Sequence, residues 1–397
     1  MEKKIFNNTK GAFSLKSDQE LEDSIFVFKM MSRPWMVSIG TWLTKTAFQL
    51  HLPVKGLVKK TIFKQFCGGE TREECIPVMQ RMMTSKVHTV FDYASEIREK
   101  GEAAFDKDLQ NQLEIAAFAK DRKEIPFLAI KPTNLGAFSV WAKISSGEKV
   151  TAEEQQLWGN IKRRFETMAQ RVSELGLRLQ VDAEESWTQK AVDDLVEELM
   201  KKYNQERAVI YNTVQCYRWD RLQYVKDLHL RAKEQGFKVG LKMVRGAYME
   251  KENARAQKMN YPTPICEDKE ATDVNYNAVL HYCIKHLDDF AIYIGTHNEV
   301  SAYLAMQLMD QSQIARNDDR VWFSQLFGMS DHITFNLALN GFNAAKYMPF
   351  GKVEEVIPYL IRRAEENTSV KGQTGRELAL LLEEKSRRKG VFAKRVN

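Results

Sequence analysis

From Val87 onward, short apolar runs alternate with long amphipathic stretches, and this alternation restricts the fold more than any other feature of the chain. The runs are Val87–Phe91, Phe127–Lys131, Arg178–Asp182, Ala208–Thr213, Lys238–Val244, Phe290–Gly295, Val321–Gln325 and Ala344–Met348. Each has the length and character of a strand covered on both faces. Helical spacing fills the gaps, as at Ala152–Leu175, Thr188–Lys202, Arg221–Gln235, Asp273–His286 and Glu299–Asp310. Eight strands with helical crossovers and a final helix predict an α/β fold, a distorted (βα)8, TIM-like barrel. An open doubly wound sheet shares the alternation, and spacing alone does not exclude it.

Residues 1–85 read instead as short helices, so the expected organisation is an N-terminal helical arm (1–85) followed by the barrel (86–397). The composition, 44% apolar and 28% charged, supplies a full core. Five cysteines without CxxC spacing argue against a disulfide scaffold or a structural zinc site and for free thiols in a reducing compartment. No uninterrupted apolar stretch follows Glu2, Lys3 and Lys4, and Asp18, Glu20, Glu22 and Asp23 all precede the first arginine, Arg33. Those features disfavour a secretory signal and a mitochondrial presequence, and the expected setting is the bacterial cytoplasm.

The net charge of +6 is uneven, because residues 1–65 hold 11 Lys/Arg against 5 Asp/Glu and no acid occurs from Ser24 to Gly69. Within that stretch Trp35, Ile39, Trp42 and Leu43 recur at helical spacing. Such a face either packs on the chain's own core or lies on an anionic membrane surface, peripherally, since charges interrupt every apolar run too early for a span. The basic tail Lys385–Asn397 reads as a solvated end.

Polar residues gather where the strands of a barrel would end. Asp92 and Glu96 follow the first, Lys131 closes the second, and Asp182, Glu184 and Glu185 close the third. Gln215 follows the fourth, Arg245 the fifth, Thr296, His297 and Asn298 the sixth, and Tyr347 falls on the eighth. Barrel enzymes build their active sites there, although strand ends are polar in any α/β protein. Lys131 and Asp182, on neighbouring strand ends, are placed to form an ion pair. A lone His297 with no second ligand at suitable spacing is no metal candidate, and no GxGxxG supports a Rossmann site.

Seven segments between Phe127 and Asn367 carry a more specific signal: PFLAIK, VDAEES, NTVQCY, KMVRGAYME, THNE, QLFGMSDH and KYMPFG…EVIPYLIRRAEEN. In type and order they resemble the proline dehydrogenase family, in its short, single-function form. The resemblance implies FAD-dependent oxidation of L-proline to 1-pyrroline-5-carboxylate, electrons passing to a membrane quinone and a separate dehydrogenase acting downstream. It assigns Lys131, Arg362 and Arg363 to the substrate carboxylate, and Tyr347, Tyr359 and Leu326 to packing on the ring. Adjacent guanidinium groups suit bidentate capture of a carboxylate. Glu96 would gate the site by pairing with Arg362.

The resemblance also places Asp182 and Lys242 at the catalytic centre, Lys242 beside the flavin where many bacterial relatives have arginine. Arg245, Gly246, Ala247 and Tyr248 would lie along the cofactor, with Ala183, Gln215, Thr296, His297 and Glu366 completing its contacts. Ile265 stands where some relatives have threonine. Relatives selective for hydroxyproline carry a smaller residue at the place of Tyr347, so the rival activity on the same scaffold, hydroxyproline oxidation, is disfavoured. A basic nucleic-acid binder is the rival from another class, and no reader motif supports it.

Overall fold

The computed structural model describes residues 5–49, 54–94, 101–369 and 373–396. Eight parallel strands, in chain order, close into a barrel. They are β1 (Val87–Tyr93), β2 (Phe127–Ile130), β3 (Arg178–Val181), β4 (Ile210–Gln215), β5 (Val239–Val244), β6 (Phe290–Gly295), β7 (Val321–Leu326) and β8 (Ala344–Phe350). The open-sheet alternative is thereby removed.

The longer helices preceding β1 are α1 (Asp18–Met31), α2 (Pro34–Gln49) and α3 (Arg72–Met83). Between β1 and β7 come α4 (Glu102–Ala119), α5 (Phe138–Ser146), α6 (Ala152–Glu174), α7 (Ser186–Tyr203), α8 (Arg221–Gln235), α9 (Met249–Met259), α10 (Lys269–Lys285) and α11 (Glu299–Gln311). After β7 follow α12 (Asp331–Leu339), α13 (Val353–Ser369) and α14 (Gln373–Val396). The chain forms two compact units, one of residues 1–96 with 324–397 and one of residues 97–323.

In the unit 97–323, parallel ladders run from Phe127↔Arg178 through Tyr211↔Gly240 to Lys242↔Tyr293. Side chains alternate across each strand, which brings Phe127, Tyr211, Tyr293 and Trp322 to one face. Phe127 meets the other three edge-on at centroid distances of 5.4, 5.1 and 5.4 Å. Edge-to-face contacts of this kind add about 0.5–1.5 kcal/mol each beyond the area buried. Cap chemistry sets the helix ends. Thr151 and Glu154 make a reciprocal capping box at the start of α6, and Gly236, left-handed at φ 72°, stops α8.

In the other unit, β1 and β8 pair from Val87↔Ala344 to Tyr93↔Phe350. Both strands outrun the apolar runs by two residues. Asp92, expected beyond the strand, is therefore inside β1 and buried. Lys346 on β8 is fully buried; its Nζ donates to Asp331 Oδ1 at 2.8 Å and to the Met329 carbonyl at 2.5 Å. Burial pushes the Asp331 carboxyl upward, but Lys346 and Lys16 outweigh it and hold the group at about 2.

At the N-terminal side, Glu20 closes a capping box with Ser17 on α1 and also accepts both Arg81 guanidinium nitrogens, at 2.7 and 2.6 Å. The basic tail is not simply solvated: Arg388 of α14 donates to Asp18 and to the Phe13 and Lys16 carbonyls, and Lys385 pairs with Glu22. A long arginine side chain satisfies backbone carbonyls as well as charges, which a charge count does not register.

Candidate active site

Within the unit 97–323, the C-terminal ends of β2 to β6 hold most of the residues singled out from the sequence. Lys242 lies inside β5, is 7% exposed, and its Nζ donates to Asp182 Oδ1 at 2.6 Å. Asp182 immediately follows β3, and its backbone N–H continues the ladder to the Ile130 carbonyl. An ion pair this enclosed is held at fixed geometry, and deleting one partner strands a buried charge. The sequence pairs Asp182 with Lys131 and does not anticipate this bond to Lys242.

Lys131 stands just past β2 rather than within it, at the cap of the short turn Pro132–Leu135. Its charge reaches Glu184, whose carboxylate accepts from the Thr133 N–H and hydroxyl at 3.1 and 2.9 Å. Burial raises the Glu184 carboxyl above its ordinary range, with Glu185 adding to the effect and Thr133 and Lys131 opposing it. Gln215 is the last residue of β4, not a residue beyond it, and is buried. Its amide nitrogen donates to the Glu184 carbonyl at 2.9 Å, while its Oε1 has no hydrogen-bond partner among the described residues. A buried acceptor in that state is costly unless a ligand donates to it.

Arg245, just past β5, is locked by three side chains: Asp273 at 2.7 Å, Thr296 at 2.8 Å and Ser301 at 2.9 Å. Its guanidinium also covers the Tyr276 ring at 4.4 Å. Burial pushes Asp273 upward, but hydrogen bonds from Lys269 and Arg245 prevail and keep it below its ordinary range. Asp273, Ser301 and Tyr276 were missed in the sequence, because nothing in their local spacing links them to Arg245. Gly246 follows at φ 135°, and a Cβ there would stand 2.5 Å from the Tyr217 ring. Only glycine fits. Gly246 and Ala247 are exposed and lead through Tyr248 to α9, whose N-terminus has no side-chain cap. Exposed backbone N–H groups at a helix start suit a phosphate-bearing ligand. Ala183 and His297 are half-buried at the ends of β3 and β6.

In the unit 1–96 with 324–397, Tyr347 is buried on β8. Because Lys346 faces α12, alternation turns Tyr347 to the inner side of the strand. Leu326 ends β7 and packs against the apolar cluster to which Tyr359, Val356 and Leu360 of α13 belong. Arg363 of α13 is buried with its guanidinium 5.2 Å from the Tyr359 ring, and Arg362 beside it is half-buried. On α13 the apolar residues Val356, Ile357, Leu360, Ile361 and Ala364 recur at helical spacing; four are buried and Ile361 is half-buried. Glu96 lies outside the described residues, as does the side chain of Glu366.

A closed parallel barrel with polar, mutually bonded strand ends places the chain among (βα)8-barrel proteins. The family model described as "Proline dehydrogenase" matches residues 75–376. The chain therefore belongs to the proline dehydrogenase family, oxidoreductases that act on proline. It is 36% identical over 323 residues to the carbapenem antibiotics biosynthesis protein CarD of Pectobacterium carotovorum, covering 81% of this chain and 83% of that one. It is 39% identical over 250 residues to mitochondrial proline dehydrogenase 1 of Drosophila melanogaster, covering 60% of this chain and 37% of the fly protein. The fold matches proline utilization A from Bdellovibrio bacteriovorus at TM-score 0.71 and 20% identity, over 93% of this chain and 37% of that one. The chain thus spans well under half the length of the last two.

Proposed function

We propose that the protein oxidises L-proline to 1-pyrroline-5-carboxylate with a bound FAD and delivers the electrons to a membrane quinone, at the cytoplasmic surface of a bacterial membrane. A separate dehydrogenase would take the product. The observation that carries the reading is the family match across residues 75–376, joined to strand ends that fit a flavin. Gln215 offers a buried acceptor with no partner among the described residues, Gly246 an exposed stretch of backbone, and Arg245 a fixed cation beside them.

When bound, FAD supplies hydride acceptance from the ring carbon beside the proline nitrogen. In this reading Lys242, fixed by Asp182, would stand at the flavin's reactive edge. Ala183, Gln215, Arg245, Gly246, Ala247, Tyr248, Thr296, His297 and Glu366 would hold the cofactor. Lys131, Arg362 and Arg363 would bind the substrate carboxylate, and Tyr347, Tyr359 and Leu326 would orient the ring, a positioning that lowers the entropic part of the barrier. Glu96 would close over the substrate by pairing with Arg362. The barrel, 86–397, would carry the whole reaction, with residues 1–85 as its arm.

The test is spectroscopic. The purified protein should show flavin absorbance that L-proline bleaches in the absence of oxygen. A protein that remains colourless after incubation with FAD would end the reading. Arg363→Met should raise the KM for proline roughly 10- to 100-fold, the worth of a hydrogen bond to a charged group at about 1.5–3 kcal/mol. Tyr347→Ser should raise turnover of hydroxyproline relative to proline, and an unchanged ratio would remove Tyr347 from the specificity argument.

A further inference from the structure

Between Ser24 and Gly69 the sequence carries seven Lys/Arg and no Asp or Glu. Inside that stretch, α2 turns Trp35, Ile39, Trp42 and Leu43 to solvent, the two indoles 61% and 64% exposed. At spacings of i, i+4, i+7 and i+8 these four share one side of the helix. The other side, with Met36, Val37, Gly40 and Thr41, is half-buried, and α2 packs against α1 and α13. The helix is therefore docked by its less apolar side, with its most apolar side exposed. Leu57, further along the same acid-free stretch, is 69% exposed, and Lys29, Arg33 and Lys60 are exposed as well.

We infer that this face of α2 is a docking surface for an anionic lipid bilayer. Three properties select that occupant. Indoles favour the headgroup level, where one edge is apolar and the other wet. Lys55, Lys59 and Lys64 pair with Glu70, Glu74, Glu354 and Asp23, whereas the exposed Lys29, Arg33 and Lys60 supply positive charge that an anionic leaflet attracts within a Debye length. The helix has 16 residues, fewer than the roughly 20 a span needs, and among the described residues no helix is long and apolar enough to cross a membrane.

A second copy of the chain is the poorer occupant. Two-fold pairing would set the same acid-free stretch against itself, and like charges would oppose the contact. The inference deepens, and in its purpose rests on, the membrane acceptor proposed above: the helix that meets lipid also packs on α13, which carries Arg362 and Arg363.

The test uses the full-length protein as purified, without proline or acceptor. It is pelleted with vesicles of phosphatidylcholine alone and with vesicles containing about one third phosphatidylglycerol, each at low and high salt. The expected result is binding to the anionic vesicles that salt weakens. The double variant W35S/W42S should bind them roughly tenfold or more weakly, having lost two large apolar anchors. It should keep the wild-type melting temperature and the wild-type rate of proline oxidation with a soluble dye.

The inference is overturned if the double variant pellets like the wild type or if the wild type ignores anionic vesicles. It is overturned equally if the substitutions only convert a dimer into a monomer. A wrong acceptor has a different signature: vesicle binding and dye-linked activity both intact, with no reduction of added quinone.

Discussion

Helices α2 and α13 lie against each other in one unit, and both carry an apolar stripe at helical spacing. On α13 the stripe of Val356, Leu360 and Ala364 is buried, and Val356 and Leu360 pack in one cluster with Val27, Met31, Phe63 and Phe66. On α2 the stripe of Trp35, Ile39, Trp42 and Leu43 stands in solvent. Periodicity therefore reports that a helix has an apolar side without reporting what that side meets. The flanking chemistry separates the two: α13 mixes Arg362 and Arg363 with Glu354, Glu355, Glu365 and Glu366, whereas α2 sits in a stretch without a single acid.

The contrast breaks most readily at Leu360. Truncating it to alanine should cost about 2–5 kcal/mol of stability, read from urea unfolding, and a loss under about 1 kcal/mol would place the α13 stripe in the same class as that of α2. Glu20→Ala comes next, since it removes the glutamate half of the α1 capping box and the Arg81 clasp, and should cost about 1–2 kcal/mol near neutral pH.

That cost has a defined pH window. The Arg81 hydrogen bonds, opposed by partial burial, hold Glu20 at about 2, below its ordinary 4.5. A depressed carboxyl stabilises the fold fully above 4.5 and loses that contribution as pH falls toward 2. The charge-dependent part of the gap between wild type and variant should therefore shrink between pH 4.5 and 2, and a gap constant across that range would contradict the assignment. The smallest effect is expected on α2: Trp42→Ser should change stability by no more than about 0.5 kcal/mol. A larger loss would show that the α2 stripe contributes to the folded core after all.

Much of the barrel was legible because strands buried on both faces must be written in apolar letters. All eight strands and the helices Arg221–Gln235 and Ala152–Glu174 fell where the runs and periodicity put them, within two residues at each end. The strand ends drifted for a physical reason. Ladder hydrogen bonds belong to the backbone and continue through polar side chains, so β4 reaches Gln215 and β1 passes through Asp92. The candidate residues were legible one at a time, while their pairings were not. Lys242 meets Asp182 across 60 positions of sequence, and Arg245 finds Asp273, Thr296 and Ser301 on three separate elements. Only the fold brings those groups within reach.

The seam between β1 and β8 bears on how the chain is made. Val87 belongs to the first barrel strand to be synthesised, yet its ladder partner Ala344 belongs to the last of the eight. At 5–20 residues per second, β1 waits on the order of ten seconds or longer before that partner exists. Throughout that interval Val90 and Phe91 sit on an open parallel edge, which is prone to pair with the wrong strand. Slow translation or a holding chaperone should therefore influence the yield of this protein more through residues 87–93 than through any later strand.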